Sequence, residues 1–204
     1  MPLPGKSGTL LLLRGEEAHL GTLTHYILAQ HLLSAQDPTR TGIIVCADNV
    51  FYPSILVGAA RRNGDSSHHL LRRLEISRSF TIHQWHTTVV SRLEKRIVQR
   101  GVSLVILSGV LPLFADRAVM ETEARDLLSQ GMSVIRAISR ATPVSFLIPL
   151  DDAGFAQDKR ARHILTTLES FSDKIVEVVR SRPDTKPQKA SRRRPGTLFE
   201  RSDL

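Results

Sequence analysis

Short runs of apolar residues alternate along this chain with longer stretches in which apolar residues recur every three or four positions. The short runs predict strands that are buried on both faces, and the longer stretches predict amphipathic helices that connect them. Strands are expected at residues 9–13, 42–47, 75–79, 103–108, 144–150 and 174–179. Helices are expected at residues 18–34, 53–63, 82–99, 118–140 and 158–171.

Six strands alternating with five helices predict an α/β fold, an open and mostly parallel sheet with helices on both faces. In such sheets, ligands bind beside the carboxyl ends of the strands. The segments that follow predicted strands are therefore expected to surround any binding site: residues 14–22, 48–49, 108–109 and 150–154.

The length of 204 residues fits one domain, with residues 1–8 as an N-terminal extension, 9–179 as the core and 180–204 as a tail. Since only eight residues precede the first strand, no separate N-terminal domain is expected. The only cysteine is Cys46, which excludes an internal disulfide and a zinc site built from several thiolates. Neither a leader-like segment nor an apolar run of about 20 residues is present, so we expect an intracellular protein.

The net charge of +8 comes mostly from the tail, which holds eight Lys or Arg against three Asp or Glu. The tail is rich in Pro, Ser and Arg and has few apolar residues, so we expect it to be disordered. Its basic residues are candidate contacts to DNA phosphates without sequence preference: Lys186, Lys189, Arg192, Arg193 and Arg194. A solubilising or targeting role is an equally open interpretation of this charge.

The tail also contains Leu198 and Phe199, an apolar pair in an otherwise polar segment. Such a pair is typical of short docking motifs that insert aromatic bulk into a pocket of a partner protein. A polymerase clamp or a recombinase protomer would be a partner of this kind, and Leu198 and Phe199 are the candidate partner-binding residues.

The sequence GEEAHLGT begins at Gly15 and follows the first predicted strand, where a phosphate-binding loop would lie. Aligned with G-x-x-x-x-G-K-[ST], Gly15 fits the first glycine and Thr22 fits the hydroxyl that holds magnesium. Gly21, however, stands in place of the lysine, and Glu16 and Glu17 add negative charge beside the expected phosphates.

A nucleotide site also needs an acidic residue at the end of an apolar strand to hold magnesium. The best candidate strand, SLVILSG, ends at Ser108, whose neutral hydroxyl is a poor substitute for a carboxylate. A Gly-Lys-Ser sequence at residues 5–7 precedes the first strand and so cannot serve as a phosphate loop. Composition alone leaves open whether these are degenerate nucleotide-binding elements or ordinary strand-to-helix turns.

Two longer segments carry a likeness to a known family. In CADNVFYPSILVGAARRN, from Cys46, a strand ends in an acidic residue and leads through an aromatic-x-Pro sequence into a helix. In ISRSFTIHQW, from Ile76, an Arg and a Phe precede a His-Gln pair. With SLVILSGVLPLF and ATPVSFLIPL, these segments resemble the ATPase core of RecA/RadA recombinases over about residues 9–179, although ISRSFTIHQ is one residue shorter than its model. The nearest kin would be recombinase paralogues, including the non-ATPase members of Shu-type accessory complexes.

Under this resemblance, Asp48 stands where the family has its water-activating Glu, Gly21 stands at the phosphate-loop Lys and Ser108 at the magnesium Asp. Leu150 and Asp151 lie where the family has a nucleotide-sensing Gln. The resemblance implies a RecA-like fold without ATP hydrolysis, with no catalytic residue, cofactor or metal. Its degenerate nucleotide site would consist of Gly15, Gly21, Thr22, Asp48 and Ser108.

The function that this resemblance implies is that of an accessory factor in homologous recombination or DNA repair, acting through a recombinase or paralogue partner and DNA. One alternative is a RecA-like accessory factor of translesion synthesis that binds a polymerase or clamp. Another is an atypical ATP-binding enzyme that draws positive charge from Arg14, Lys6 or a neighbouring subunit.

Other candidate chemistry is weak. Among the histidines, His83 and His86 are spaced to share a helix face, but no metal-binding pattern joins them. Ser108 lacks both a G-x-S-x-G turn and an obvious base, and Cys46 is expected to be a small core residue. The apolar GVLPLF sequence at 109–114 is expected either to form a contact surface or to cover the end of the sheet.

Overall fold

The computed structural model of the chain describes residues 7–34, 39–155 and 157–179, with the side chains of Glu17 and Ala18 excepted. Within these residues it has a single six-stranded sheet in which every strand pairs in parallel with its neighbours. The strands are β1 (Leu10–Gly15), β2 (Thr41–Cys46), β3 (Leu74–Arg78), β4 (Val102–Ser108), β5 (Ser145–Leu150) and β6 (Lys174–Val178).

The strands lie in the order β3-β2-β4-β5-β1-β6, so β5 separates β1 from β4. Because all strands are parallel, their carboxyl ends meet at one edge of the sheet. This arrangement confirms the predicted α/β fold and is consistent with a RecA-like open sheet.

The helices of the described residues are α1 (Glu17–Leu32), α2 (Pro53–Arg62), α3 (Ser67–Arg72), α4 (Ile82–Thr87), α5 (Glu94–Arg100), α6 (Val110–Ala115), α7 (Glu121–Ala141) and α8 (Lys159–Phe171). A π-helical segment, Thr88–Leu93, joins α4 to α5 without a break. A short 3-10 turn, Ala153–Phe155, follows β5.

Helices cover both faces of the sheet and form two hydrophobic cores. Leu10 and Leu12 of β1 face the larger core, which is completed by α4 to α8. Leu11 and Leu13 face the opposite core, which is completed by α1, α2 and α3. This alternation follows from the period of two along a strand, and it requires both faces of β1 to be apolar.

The larger core is built around the single tryptophan of the chain. Trp85 of α4 is fully buried, and its ring lies edge-on to Phe114 of α6 with the centroids 5.0 Å apart. A Cβ atom at Gly131 of α7 would come within 2.4 Å of the Trp85 ring, so only glycine allows α7 to approach this closely. The aromatic contact therefore holds three helices together on one face of the sheet.

Several helix ends are set by local side chains. Ser66, Thr81 and Asp158 each accept a hydrogen bond from a backbone N–H in the first turn of the following helix. These bonds to its own helix, with the nearby Arg117, hold the pKa of Asp158 below its ordinary value. At the other end of a helix, Gly101 adopts φ +61° immediately after α5, as expected for a glycine that terminates a helix.

Two predictions from the sequence need correction. Residues 67–72 form α3, which was not predicted because six residues are too few for a helical repeat to be recognised. Residues 110–115 form α6, a second helix that was not predicted, in which Val110, Leu111 and Phe114 are buried and cover the end of the sheet.

The tail, including its basic residues and Leu198 and Phe199, lies outside the described residues, as does Lys6. Among the described helices, none combines the length and the apolar character that crossing a bilayer requires.

Candidate functional site

A cleft of about 540 Å³ opens at the carboxyl edge of the sheet. Its walls come from the start of α1, the ends of β2, β4 and β5, and the α6 helix. This is the edge at which ligands bind in open parallel sheets, and it is where the sequence predicted a site.

The entry to α1 differs from a phosphate-binding loop. The strand β1 ends at Gly15 and α1 begins at Glu17, so Glu16 alone separates the two elements. A phosphate loop requires several residues between strand and helix whose N–H groups surround the phosphate. Gly21 and Thr22 consequently lie within α1, and only Gly21 lines the cleft.

Packing explains the glycines of this segment. A Cβ at Gly21 would lie 2.8 Å from Cε2 of Tyr52, so the tyrosine ring rests on the helix backbone at this point. A Cβ at Gly15 would lie 2.9 Å from the carbonyl oxygen of Val178 in the neighbouring strand β6. Gly15 and Gly21 therefore have a structural role in the fold, independent of any phosphate.

Asp48 is the centre of a polar cluster at the bottom of the cleft. Its Oδ1 atom accepts hydrogen bonds from the Ser108 hydroxyl at 3.0 Å, the Cys46 thiol at 3.2 Å and the Val50 N–H at 3.1 Å. Among the described residues, each of these bonds ends on Oδ1, which leaves Oδ2 to accept a bond from a ligand. The sequence predicted that Asp48 and Ser108 would belong to one site, and the structure brings them into direct contact.

The Ser108–Asp48 contact corrects the expectation that Ser108 has no basic group nearby. A carboxylate bonded to a serine does not by itself create a nucleophile, because a histidine or another proton acceptor of suitable pKa is needed to take the hydroxyl proton. The imidazole of His25 also lines the cleft, but both of its ring nitrogens are already occupied, as described below.

The backbone conformation at the ends of β2 and β4 fixes this cluster. Gly109 has φ +71°, and a Cβ at this position would lie 2.4 Å from the backbone nitrogen of Asp48. Asn49, the residue after Asp48, also has a positive φ of 58°. The two chain segments can approach this closely only with glycine at position 109.

Cys46 is a buried thiol whose pKa is raised, first because burial disfavours the thiolate and then because the thiol donates a hydrogen bond to the negatively charged Asp48 carboxylate. A protonated, buried thiol is a poor nucleophile. The cysteine therefore acts as a core residue, as predicted, with the additional role of orienting Asp48.

His25 connects α1 to the segment between β2 and α2. Its Nδ1 lies 2.7 Å from the Gly21 carbonyl oxygen, and its Nε2 accepts the Tyr52 N–H at 3.2 Å. This pattern requires a neutral imidazole that carries its proton on Nδ1. Burial lowers the pKa of His25, against the opposing influence of the Gly21 carbonyl and the Asp48 carboxylate, so the ring is neutral at physiological pH.

Arg14, at the end of β1, is surrounded by carboxylates. Its guanidinium bonds Asp152 through two nitrogens and lies 3.4 Å from Glu169 and 3.9 Å from Glu177. The hydrogen bond with Asp152 is the main reason that the pKa of Arg14 is raised. Arg14 is therefore committed to internal ion pairs and does not point a free charge at the cleft.

The charge of the cleft is opposite to that of a nucleotide site. Its lining contains two carboxylates, Asp48 and Asp151, and neither Lys nor Arg from the part of the chain that the structure describes. The remaining wall is largely apolar, with the hydroxyl of Thr24 buried and without a hydrogen-bond partner. Such a cleft suits an uncharged or cationic group that donates hydrogen bonds, and it repels polyphosphates.

The histidines are dispersed over the part of the chain that the structure describes. No group of three or more His, Cys, Asp or Glu side chains is arranged to hold a metal among the described residues. His83 lies 3.7 Å from Glu123, whereas His86 contacts Gln130 at 3.0 Å, so the two histidines have different partners.

Sequence reasoning missed the links that depend on long-range packing. His25 contacts Tyr52 across 27 positions, and Arg14 contacts Asp152 across 138 positions. The buried position of His25 on the apolar face of α1 is a signal for a structural histidine. No comparable signal in the sequence identifies the carboxylate partners of Arg14.

No protein-family model matches this sequence, and comparison with curated proteins gives no match.

Proposed function

We propose that this protein is a RecA-like accessory factor of homologous recombination or DNA repair that does not hydrolyse ATP and acts through a recombinase or recombinase-paralogue partner. Its core would serve as a binding scaffold instead of a motor.

One observation is the main support for the proposal that this protein does not hydrolyse ATP. The first helix starts one residue after β1, so the N–H groups from His19 onward are bonded within the helix and cannot surround a triphosphate. Within the described residues no Lys or Arg lines the cleft to compensate for this loss, and Arg14 is bound to Asp152. A triphosphate would meet repulsion where catalysis requires attraction.

The recombinase part of the proposal is supported by the order of the strands and by position. A strand lies between β1 and β4, and two of the segments that resemble the recombinase core contain Asp48 and Ser108. These residues meet in the cleft at the carboxyl edge, as the corresponding positions of an ATPase core would. Fold analogy alone would be weak support, so the residue correspondence is the stronger argument.

Two measurements on the full-length protein test the proposal. Equilibrium titration with a fluorescent ATP analogue and magnesium should show no saturable binding up to millimolar concentration, and no ATPase activity should be detectable. Hydrolysis that is abolished by Asp48→Ala would overturn the proposal and favour an ATP-binding enzyme. Co-purification from the native host should recover a recombinase or paralogue.

The translesion alternative has its own test because it places partner binding in the tail. If a polymerase or sliding clamp co-purifies instead, and if Leu198→Ala with Phe199→Ala abolishes this capture, the accessory factor belongs to translesion synthesis. Capture of a recombinase that survives both substitutions supports the principal proposal.

A further inference from the structure

A second groove, of about 460 Å³, lies at the carboxyl end of β3 beside the helix that begins with α4. Its lining is polar and contains three hydroxyls, an amide, an imidazole and two guanidinium groups. These residues are Ser77, Arg78, His83, Gln84, Thr87, Thr88 and Arg92. The groove therefore has the opposite character to the acidic cleft.

Among the described residues, the two arginines of this groove lack the carboxylate partner that their neighbours have. Arg96 and Arg100, farther along the same helix, lie 3.6 Å and 3.5 Å from Glu75. Within the described residues, Arg78 and Arg92 form no ion pair, and both side chains are exposed. Glu123 contacts His83 at 3.7 Å and is outside the groove lining. The groove thus has a surplus of positive charge and a ready supply of hydroxyl donors.

Phe80 follows the lining residue Arg78 by two positions and is 65% exposed, the most exposed Phe, Tyr or Trp among the described residues. Its backbone is held in place because its N–H donates to Oε1 of Gln84 at 2.8 Å. The preceding residue, Ser79, is fully buried and its N–H donates to the Cys46 carbonyl at 2.9 Å. The Phe80 ring is therefore presented to solvent from a fixed turn, at the cost of exposing a large apolar surface.

We propose that this surface, which we call the Phe80 groove (Phe80 with the seven lining residues), binds single-stranded DNA. Arg78 and Arg92 contact backbone phosphates, the threonine hydroxyls donate further hydrogen bonds, and Phe80 stacks on an unpaired base. Cations beside an exposed aromatic ring are the usual means of holding single strands without sequence preference. A duplex offers its phosphates but not its base faces, so the ring favours the single strand.

This inference gives the folded core a DNA contact that does not depend on the basic tail. It rests on the proposed role in DNA repair for its biological sense, but its physical argument uses neither the cleft nor a protein partner. The two proposals can therefore fail separately.

The experiment is fluorescence anisotropy with a labelled oligo-dT of 20 nucleotides and the full-length protein, over a range of salt concentrations. The test variants are Phe80→Ala and the pair Arg78→Gln with Arg92→Gln. The matched controls are Tyr26→Ala, which removes another exposed aromatic ring, and Arg61→Gln with Arg62→Gln, two exposed arginines of α2. A tail variant, with Arg192, Arg193 and Arg194 changed to Gln, separates the tail from the groove.

We expect Phe80→Ala to weaken binding by about 5- to 150-fold, which corresponds to the loss of one stacked base. The Arg78/Arg92 pair should reduce the slope of log affinity against log salt by about 1.4, because two phosphate contacts are lost. The aromatic control should bind like the wild type, and the α2 arginine pair should leave the slope unchanged. The tail variant should keep its sensitivity to Phe80→Ala when the two changes are combined.

The proposal is overturned if the wild type does not bind oligo-dT at low salt, or if binding is lost only in the tail variant. Equal losses in the Arg78/Arg92 pair and the α2 control pair would also overturn it, since net charge alone would then explain binding. Equal affinity for a duplex of the same length would also overturn the proposal, because a duplex offers no unpaired base on which Phe80 can stack. If these tests fail while a recombinase partner is still captured, the assignment of DNA binding to the Phe80 groove is wrong and the proposed function stands.

Discussion

The Ser108 hydroxyl donates a 3.0 Å hydrogen bond to Oδ1 of Asp48 and so joins the ends of two adjacent strands, β4 and β2. The same carboxylate oxygen accepts the Cys46 thiol and the Val50 N–H, so one side chain organises the floor of the cleft. In a hydrolytic nucleotide site, carboxylates at strand ends are kept available for magnesium and water. Here one oxygen of Asp48 is consumed by internal bonds.

Replacing these two residues should reveal their coupling. We expect Asp48→Ala to lower the free energy of unfolding by about 1–3 kcal/mol, because three donors lose an ionised acceptor. Ser108→Ala should cost about 1 kcal/mol. Urea unfolding of both single variants and the double variant, followed by the fluorescence of Trp85, should give a coupling energy of at least about 0.5 kcal/mol. Strictly additive losses would show that the hydrogen bond contributes nothing.

Three glycines form a graded test of backbone strain and space. Gly109→Ala should destabilise the fold by more than about 3 kcal/mol, since it adds a clash with the Asp48 backbone to the strain of a positive φ. Gly64→Ala also has a positive φ, of +70°, but no atom within 4 Å of the new Cβ, so about 1–2 kcal/mol is expected. Gly154→Ala has neither problem and should be nearly neutral.

Equilibrium unfolding in urea measures all three glycine variants. If Gly109→Ala costs no more than Gly64→Ala, the close approach of β4 to the Asp48 segment does not limit the fold.

The neutral state of His25 predicts a stability loss in mild acid. Its pKa is lowered in the folded protein, so the unfolded chain binds a proton more readily below about pH 6.5. The contribution of His25 to the free energy of unfolding is therefore at its full value above that pH. It declines as the pH falls towards the pKa of His25 in the folded protein, by at most about 1.4 kcal/mol per pH unit. Urea unfolding at pH 7.5 and pH 5.5 should show this decline.

The His25→Gln variant should lose that part of the pH dependence and be less stable at both values. His68→Gln is the control, because His68 is an exposed residue of α3. An unchanged pH dependence in His25→Gln would mean that His25 is protonated as easily in the folded protein as in the unfolded one.

The ion pairs of Arg14 with Asp152, Glu169 and Glu177 predict that replacing Arg14 lowers the stability of the fold. Arg14→Gln leaves Asp152, Glu169 and Glu177 without their shared cation, and we expect a loss of about 1–2 kcal/mol at neutral pH and low salt. High salt should reduce this loss by screening the ion pairs. Arg125→Gln, which removes a 3.9 Å helical pair with Glu121, should cost less than about 0.5 kcal/mol. Equal effects in the two variants would contradict a special role for Arg14.

The extent of sequence-based prediction differs between the sheet and the site. All six strands lie within two residues of their predicted bounds, because a strand that is buried on both faces must be apolar throughout. The helices α3 and α6 were missed since each has only six residues. For α3, Ser66 as an N-cap residue was the signal available in the sequence.

The residues of the cleft were predicted where strand ends alone determine position, as for Asp48 and Ser108. Prediction was not possible where the contact depends on how a helix is rotated or on which distant loop packs beside it. The Gly21–Tyr52 contact is of this kind, because it needs α1 and the β2–α2 connection to be placed in three dimensions first. In the sequence Gly21 is the residue that replaces the phosphate-loop lysine, whereas in the structure it is a glycine that makes room for the Tyr52 ring.

The order of the strands also determines when the sheet can be completed during synthesis. Leu10 of β1 pairs with Phe146 of β5, 136 positions later, and Leu12 pairs with Ile175 of β6. At ribosomal speeds of about 5–20 residues per second, the first strand waits roughly 7–27 s for its first neighbour. Until then its four consecutive leucines have no partner strand, and a nascent chain in this state is a natural client for a chaperone.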